Sequence, residues 1–244
     1  MADTPLTLIQ HIEELRRRLG LGLLGLLVAV GFSFTQAERL IDWLQAPAKP
    51  WLPRLAFFTP TEPLAAYVKI GVLGGACLAM PWLLWQAWAF VRTGLRPPEQ
   101  RYGLAFVWWG SAQFLAGVAF AWFVILPISL RVLLQLGAGR FEPVLSLEAY
   151  LSFVTNILFW TGLMFELPVL LWLLAKIGVV TPEWLRQQRP YAILVLVIVA
   201  ALVTPTTDVV SLMLMSLPLV GLYELSIWVT RWAMPARSQE DAKT

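Results

Sequence analysis

Six long apolar stretches alternate with short polar connections along this chain. A helix needs about 20 apolar residues to cross the roughly 30 Å hydrocarbon core of a bilayer, so the pattern predicts an all-α integral membrane protein. Four of the apolar stretches contain proline, which packed membrane helices tolerate because neighbouring groups satisfy the freed backbone carbonyls. The predicted transmembrane helices cover residues 19–35, 66–91, 102–130, 151–175, 190–203 and 209–229.

The last two predicted helices form a short hairpin. Residues 191–203 supply only thirteen apolar positions, which is about 20 Å of helix at 1.5 Å per residue. The sixth helix begins directly after residues 204–208. A hairpin of this length must admit water, thin the bilayer or lie behind longer neighbours. We therefore hypothesise that the hairpin thins the bilayer locally.

Composition and charge agree with a membrane location. Of the 244 residues, 59% are hydrophobic and only 14% are charged, and a mean hydropathy of +0.71 argues against a water-soluble fold. Twelve of the 18 lysines and arginines fall in the two terminal segments and in the second-to-third and fourth-to-fifth connections. The positive-inside rule therefore predicts that both termini are cytoplasmic, and the membrane that we expect is the cytoplasmic (inner) membrane.

Three further segments complete the predicted organisation. The first apolar stretch is not expected to be a cleavable signal, because Glu13 and Glu14 interrupt its basic region and no small-residue cleavage site follows. Residues 37–45 predict a short amphipathic helix in a proline-rich external cap. The polar tail, residues 234–244, is expected to be a disordered cytoplasmic segment.

The lone Cys77 and lone His11 give no disulfide or metal-binding pattern, and no cofactor or nucleic-acid signature is present.

Glu166 is the most informative ionisable residue of the predicted spans. An acidic group near the middle of a bilayer costs on the order of 3 kcal/mol, so it should either be protonated or face a wet polar cavity. One interpretation is an interhelical hydrogen bond from a neutral carboxyl group. The other is a polar contact for a ligand that enters the bilayer laterally, and the sequence leaves both open.

Glu14 and Glu99 lie among arginines at the predicted cytoplasmic rim. Each alone is explained by local salt bridges worth about 0–1 kcal/mol. Together they are two carboxylates on one face, and such a pair suits guanidinium recognition through bidentate hydrogen bonds. Asp208 is expected to cap the sixth helix, and Glu224 to snorkel or to pair with a basic group of the inner connections.

Seven motifs occur in order along nearly the whole chain. They are LIQHIEELRRRL at 8–19, PWLLWQAWAFVRTGL at 81–95 with Glu99, FAWFVILP at 120–127, FELP at 165–168, RQQRPY at 186–191, Thr204-Pro205 with Asp208, and Leu217-Pro218 with Tyr223-Glu224. In this order they resemble the TatC family, the multispanning subunit of the twin-arginine protein translocase. Any one motif would be weak, but the ordered set is specific.

The resemblance implies a concave, glove-like bundle that acts as a receptor and not as an enzyme. Glu14 and Glu99 would receive the arginine pair of a twin-arginine signal peptide, and Arg16, Gln86 and Phe90 would shape the same surface. Glu166 would be the acidic residue inside the cavity, with Asp208 and Glu224 as further polar groups of the membrane region. Implied partners are signal peptides of folded substrates, single-span TatA- and TatB-type subunits, and further copies of the chain in a multimeric complex.

Three positions depart from the family pattern. Thr93 stands where proline usually precedes Gly-Leu, and Gln100 where a basic residue commonly follows the glutamate. Leu212 replaces a glutamine that commonly follows serine in the sixth helix. The loop's stiffness and charge, and one polar contact in the cavity, are therefore in doubt.

Two other classes of function fit the same spans less well. A small-solute or proton-coupled transporter could use Glu166 as its coupling site, but that acid has no basic or amide company on neighbouring spans and no repeats are evident. An intramembrane enzyme would need a Ser/His pair, an acidic dyad or a metal cluster, and none is evident within the spans.

Overall fold

The computed structural model describes residues 8–49, 55–94, 100–136, 145–204 and 209–233. These residues are almost wholly helical, and the only β pairing among them is an isolated parallel bridge between Ala56 and Ser146. The predicted tail lies outside the described residues. The α-helices are α1 (Leu8–Phe34), α2 (Ala37–Gln45), α3 (Glu62–Val91), α4 (Gly103–Phe120), α5 (Leu126–Leu136), α6 (Leu147–Phe165), α7 (Leu167–Lys176), α8 (Pro182–Gln187), α9 (Arg189–Val203) and α10 (Val209–Ala233).

Six apolar helical segments confirm the predicted all-α membrane architecture. Five are long and apolar enough to cross a membrane: α1, α3, the continuous α4–α5 segment, the α6–α7 segment and α10. The predicted shortness holds for α9, which has 15 residues. Helix α10 has 25 residues because helical backbone continues beyond the predicted apolar span, so the last two helices are unequal in length.

Several helix boundaries differ from the apolar runs that predicted them. Helix α1 begins at Leu8, so the basic segment before the first apolar stretch is itself helical. A π-helical turn, Ala121–Ile125, joins α4 to α5 just before Pro127. The wider turn accommodates the missing proline N–H, and such turns are a recognised cause of helix bending.

Helices α1 and α3 pack closely along a strip of glycines. A Cβ added at Gly75 would lie 2.6 Å from the Cα and 2.8 Å from the backbone nitrogen of Val30, and one added at Gly71 would overlap the ring of Phe34. Trp82 of α3 lies against Gly25 of α1 and donates its indole N–H to the carbonyl of Leu21 at 2.9 Å. Close backbone approach over small residues is the usual way in which membrane helices associate.

A second close contact joins α4 to α6. A Cβ on Gly117 would lie 2.9 Å from the Cα of Gly162, and the ring of Phe114 covers Gly162. The buried aliphatic side chains of α6, including Leu151 and Leu158, continue this contact into the main core. Helix α3 packs against both members of this pair, which therefore connects α3, and through it α1, to the core.

The two ends of the bundle differ in chemistry. We call one end the cap end, where α2 and residues 55–61 lie. There Tyr150 donates to the carbonyl of Leu44 at 2.8 Å, and Glu62 accepts from Ser146 at 2.6 Å. The amphipathic helix predicted at residues 37–45 is confirmed as α2, with Leu44 buried. We call the other end the basic end, and its cations are Arg16, Arg17, Arg18, Arg92, Arg101, Lys176, Arg186, Arg189 and Arg231.

Candidate functional site

A hydrogen-bonded chain of polar side chains links α1 to α3 at the basic end. Arg18 Nε donates to Glu14 Oε1 at 2.7 Å, and Arg18 Nη1 donates to Gln86 Oε1 at 3.3 Å. The Gln86 side chain is only 5% exposed, whereas the Glu14 and Arg18 side chains are each 20% exposed. The carboxylate of Glu14 is therefore partly desolvated and still open to solvent on one side.

An aromatic contact extends this group of residues by one turn. The rings of His11 and Phe90 lie 4.6 Å apart between centroids. His11, Glu14 and Arg18 follow the i, i+3, i+7 spacing of one face of α1, and Gln86 and Phe90 are one turn apart on α3. We call these five residues the α1–α3 patch.

The structure separates one predicted member from this patch. Residues two apart on a helix point to different sides, so Arg16 does not lie on the Glu14 face of α1. Its side chain is exposed. Arg18, which the sequence did not single out from its neighbours, makes the contact with α3. The i, i+4 spacing of Glu14 and Arg18 was the signal that could have identified the pair.

The local salt bridge that the sequence allowed for Glu14 is present. Its partner Arg18 engages Oε1 through Nε, so an incoming guanidinium group must share or displace that contact. Glu99, the predicted second carboxylate, lies outside the described residues. Its assignment to the same surface therefore stays a prediction.

Glu166 lies where α6 gives way to α7. Its N–H donates to the carbonyl of Leu163, three residues back, at 3.1 Å, which is a tighter turn than that of an α-helix. Pro168 in the next turn lacks an N–H, so the α-helical hydrogen bonding is interrupted here and resumes in α7. The side chain is 7% exposed. A Cβ added at Gly110 of α4 would lie 3.1 Å from Glu166 Oε2, which places the carboxyl group between α6–α7 and α4.

Neither carboxyl oxygen of Glu166 has a hydrogen-bond partner among the described residues. The interhelical hydrogen bond, one of the two interpretations left open by the sequence, is therefore not made within this part of the chain. The hydroxyl groups of Ser111, next to Gly110 on α4, and of Thr161 on α6 are also buried without a partner among the described residues. The carboxyl group is thus a buried polar group that no described residue engages.

Replacing Glu166 with glutamine should leave the fold intact. Because the carboxyl group accepts no bond from the described residues, a side chain of the same shape loses no such interaction, and the change in unfolding free energy should stay below about 1 kcal/mol. The measurement is thermal unfolding followed with a maleimide dye that reacts with Cys77, the single cysteine, which is only partly exposed in α3.

Glu62→Gln is the matched control for this prediction. The Glu62 carboxylate accepts from Ser146 and from the N–H of Phe58 at 3.1 Å, so its substitution should lower the unfolding temperature. A destabilisation by Glu166→Gln as large as that by Glu62→Gln would show that Glu166 has a structural partner.

The two remaining polar candidates have different outcomes. Glu224 of α10 accepts a hydrogen bond from Arg189 Nη2 at 2.6 Å. Arg189 is the first residue of α9, so Glu224 takes the second of its two predicted roles, pairing with a basic group at the inner end. Asp208 lies outside the described residues, and its role as a helix cap stays a prediction.

Within the described ranges, no group of three or more His, Cys, Asp or Glu residues is placed to hold a metal ion.

These features define a class of protein. The chain is a multi-pass α-helical membrane protein whose charged groups gather mainly at its two ends, with one carboxyl group buried between helices. Its open polar patch lies at the basic end of two helices that otherwise expose apolar side chains. Comparison with known proteins identifies the family within this class.

The model of the family described as "Sec-independent protein translocase protein (TatC)" matches residues 10–218. A relative of that name from Carboxydothermus hydrogenoformans is 35% identical over 243 residues, covering 100% of both chains. A relative from Aquifex aeolicus is 36% identical over 233 residues, covering 94% of this chain and 95% of its own. The chain belongs to the TatC family.

A solved structure supports the same assignment at the level of the fold. The crystal structure described as "Twin Arginine Translocase Receptor- TatC" superposes with a TM-score of 0.82 at 36% identity, covering 91% of this chain and 99% of that one. The resemblance inferred from the sequence motifs is thus confirmed. The transporter alternative built on Glu166 finds no support in these relatives.

Proposed function

We propose that this chain is the receptor core of a twin-arginine translocase and binds twin-arginine signal peptides of folded proteins. The observation that carries the proposal is the α1–α3 patch. In it Arg18 joins a partly desolvated carboxylate, Glu14, to the buried amide of Gln86, and the ring of Phe90 packs on His11 one turn away. A guanidinium group is planar and presents several N–H donors, so it suits a carboxylate flanked by an amide acceptor and an aromatic face.

Arg18 shows that a guanidinium group fits this position. It already spans Glu14 and Gln86 from within the chain, so the arginine pair of a signal peptide would share or replace this internal contact. The apolar part of the signal would then lie along α1, whose exposed face carries Leu19, Leu23 and Leu27. Glu99 would supply the second carboxylate, and Arg16 would border the site on the solvent side.

The membrane setting completes the proposal. The basic end lies at the cytoplasmic face of the inner membrane, in agreement with the excess of lysine and arginine there. Single-span TatA- and TatB-type subunits pack against α9 and α10, where the short α9 leaves the bundle thin. Further copies of the chain join in a multimeric complex. The protein acts as a binding subunit without catalysis, and the proton motive force drives transport through the recruited subunits.

Site-specific photo-crosslinking from position 99 tests the receptor role directly. A signal peptide with an Arg-Arg pair should crosslink strongly to full-length protein in membranes, and a Lys-Lys peptide of the same sequence should crosslink weakly, because lysine cannot make the bidentate contact. Position 39, near the start of α2 at the cap end, is the control site and should give no crosslink. Equal crosslinking to both peptides at position 99 would overturn the proposed recognition of arginine.

A further inference from the structure

A second site, which shares no residue with the α1–α3 patch, lies between three other helices near the basic end. A groove of about 580 Å³ runs between α4, α7 and α10 and is lined mainly by aromatic and aliphatic side chains. Two of its lining residues, Trp109 and Trp228, are exposed, and Gln113 is the lining residue farthest along α4 from the basic end. The volume is within the usual range of about 300–1,000 Å³ for ligand pockets.

The groove is long enough for part of an acyl chain. Its lining extends from Tyr102, just before α4, to Gln113 of α4, about 16 Å at 1.5 Å per residue. A single hydrocarbon chain can lie along a groove of this length.

Two cations mark the rim of the groove at the basic end. Arg101 lies over the ring of Tyr102, with its guanidinium carbon 5.1 Å from the ring centroid, and the Lys176 ammonium lies 5.4 Å from the same centroid. Among the described residues neither cation has an ion pair. Two like charges held beside one ring form a local excess of positive charge, which suits an anion.

Within the described residues, the three helices that line the groove offer no acidic group to neutralise this rim. Helices α4 and α7 carry no Asp or Glu, and the only one on α10 is Glu224, which is engaged by Arg189. Arg231, in the last turn of α10, lies one turn beyond Trp228 and adds a third cation near this end of the groove. Charge complementarity therefore selects an anionic head group attached to an apolar chain.

We propose that this groove binds one anionic phospholipid of the leaflet that faces the basic end. One acyl chain lies between α4, α7 and α10, and the phosphate group lies at Arg101 and Lys176. Basic pockets between transmembrane helices are known to hold anionic head groups. The lipid would join α10 to α4 and α7 at the end of the bundle where the α1–α3 patch also lies, without taking part in that patch.

Native mass spectrometry of the full chain in detergent tests the site. The probes are palmitoyl-oleoyl phosphatidylglycerol and the phosphatidylcholine with the same two chains. We expect one phosphatidylglycerol per chain, bound at least tenfold more tightly than phosphatidylcholine. The double variant Arg101→Gln/Lys176→Gln should weaken phosphatidylglycerol binding about thirtyfold, from the usual contribution of two surface cations to anionic lipid binding.

The control variant Arg17→Gln/Arg92→Gln removes two exposed cations of the basic end away from the groove and should leave this affinity unchanged. Equal binding of the two lipids, or an equal loss in the control variant, would overturn the proposal. Exposed Ala105 lines the groove, and Ala105→Trp should also remove the bound phosphatidylglycerol by filling the space of its chain. Unchanged binding in Ala105→Trp would show that the acyl chain lies elsewhere.

A photo-reactive amino acid at position 105 distinguishes a bound lipid from a protein that occupies the groove. In native membranes we expect adducts with the mass of a phospholipid. An adduct the size of a second copy of the chain, or of a single-span subunit, would assign the groove to a protein partner and overturn the lipid proposal. Because the groove shares no residue with the α1–α3 patch, a failure here leaves the proposed binding of signal peptides untouched.

Discussion

Gly75→Val should detach α1 from the rest of the bundle. The Cβ of any side chain at position 75 would lie 2.6 Å from the Cα of Val30, and a backbone atom cannot move aside as a flexible side chain can. The two helices must therefore separate, and α1 has its main contacts with α3. Overpacking of this kind costs about 3 kcal/mol or more, which should lower the unfolding temperature by about 10 °C.

The matched control for this prediction is Gly31→Val. Position 31 is exposed on α1, and no atom lies within 4 Å of an added Cβ there. Both variants make the same change in intrinsic helix propensity, so the difference between them isolates the contact between α1 and α3. Thermal unfolding followed through Cys77 measures both. Equal unfolding temperatures for the two variants would show that α1 and α3 are not held by this contact.

The transmembrane helices could be predicted from the sequence because the bilayer sets their length. Apolar runs alone identified six segments, and the spacing of Leu40, Ile41 and Leu44 identified α2. The exact ends could not be predicted in this way. The basic residues before the first apolar run continue α1 because a helix that leaves the bilayer can remain hydrogen-bonded internally whether or not its side chains are apolar.

The sequence indicated which residues to consider for the candidate site, but not which of them contact one another. The sequence identified Glu14 and Gln86, but their connection runs through Arg18, and a contact between residues 68 positions apart depends on how α1 packs on α3. The glycine strip that fixes this packing has a local signal, the Gly71-x-x-x-Gly75 spacing, which the motif analysis did not use. For Glu224 the sequence left open snorkelling or a basic partner of the inner connections, and only the fold could select the pairing with Arg189.

Glu14→Gln should weaken the binding of an Arg-Arg signal peptide by about ten- to hundredfold. The substitution keeps the shape of the side chain and removes its charge, so it removes a charge-assisted hydrogen bond worth about 1.5–3 kcal/mol, and each 1.4 kcal/mol is a factor of ten in affinity. The loss should not be larger, because Arg18 already occupies Oε1 and the peptide gains only the difference between two guanidinium contacts. Fluorescence anisotropy with a labelled peptide and full-length protein in nanodiscs measures the affinity.

Glu13→Gln provides the control with the same chemistry one residue away. Glu13 is exposed, and adjacent positions on a helix point in different directions, so its charge lies off the face that meets Gln86 and Phe90. Removing it changes the net charge as Glu14→Gln does but should alter affinity by no more than about threefold, the usual effect of an exposed charge. If the two variants lose affinity equally, the peptide senses only the overall charge of the basic end. A loss of affinity in Glu14→Gln alone would instead mean that the α1–α3 patch recognises the arginine pair. The recognition would then use the carboxylate that Arg18 occupies in the free protein.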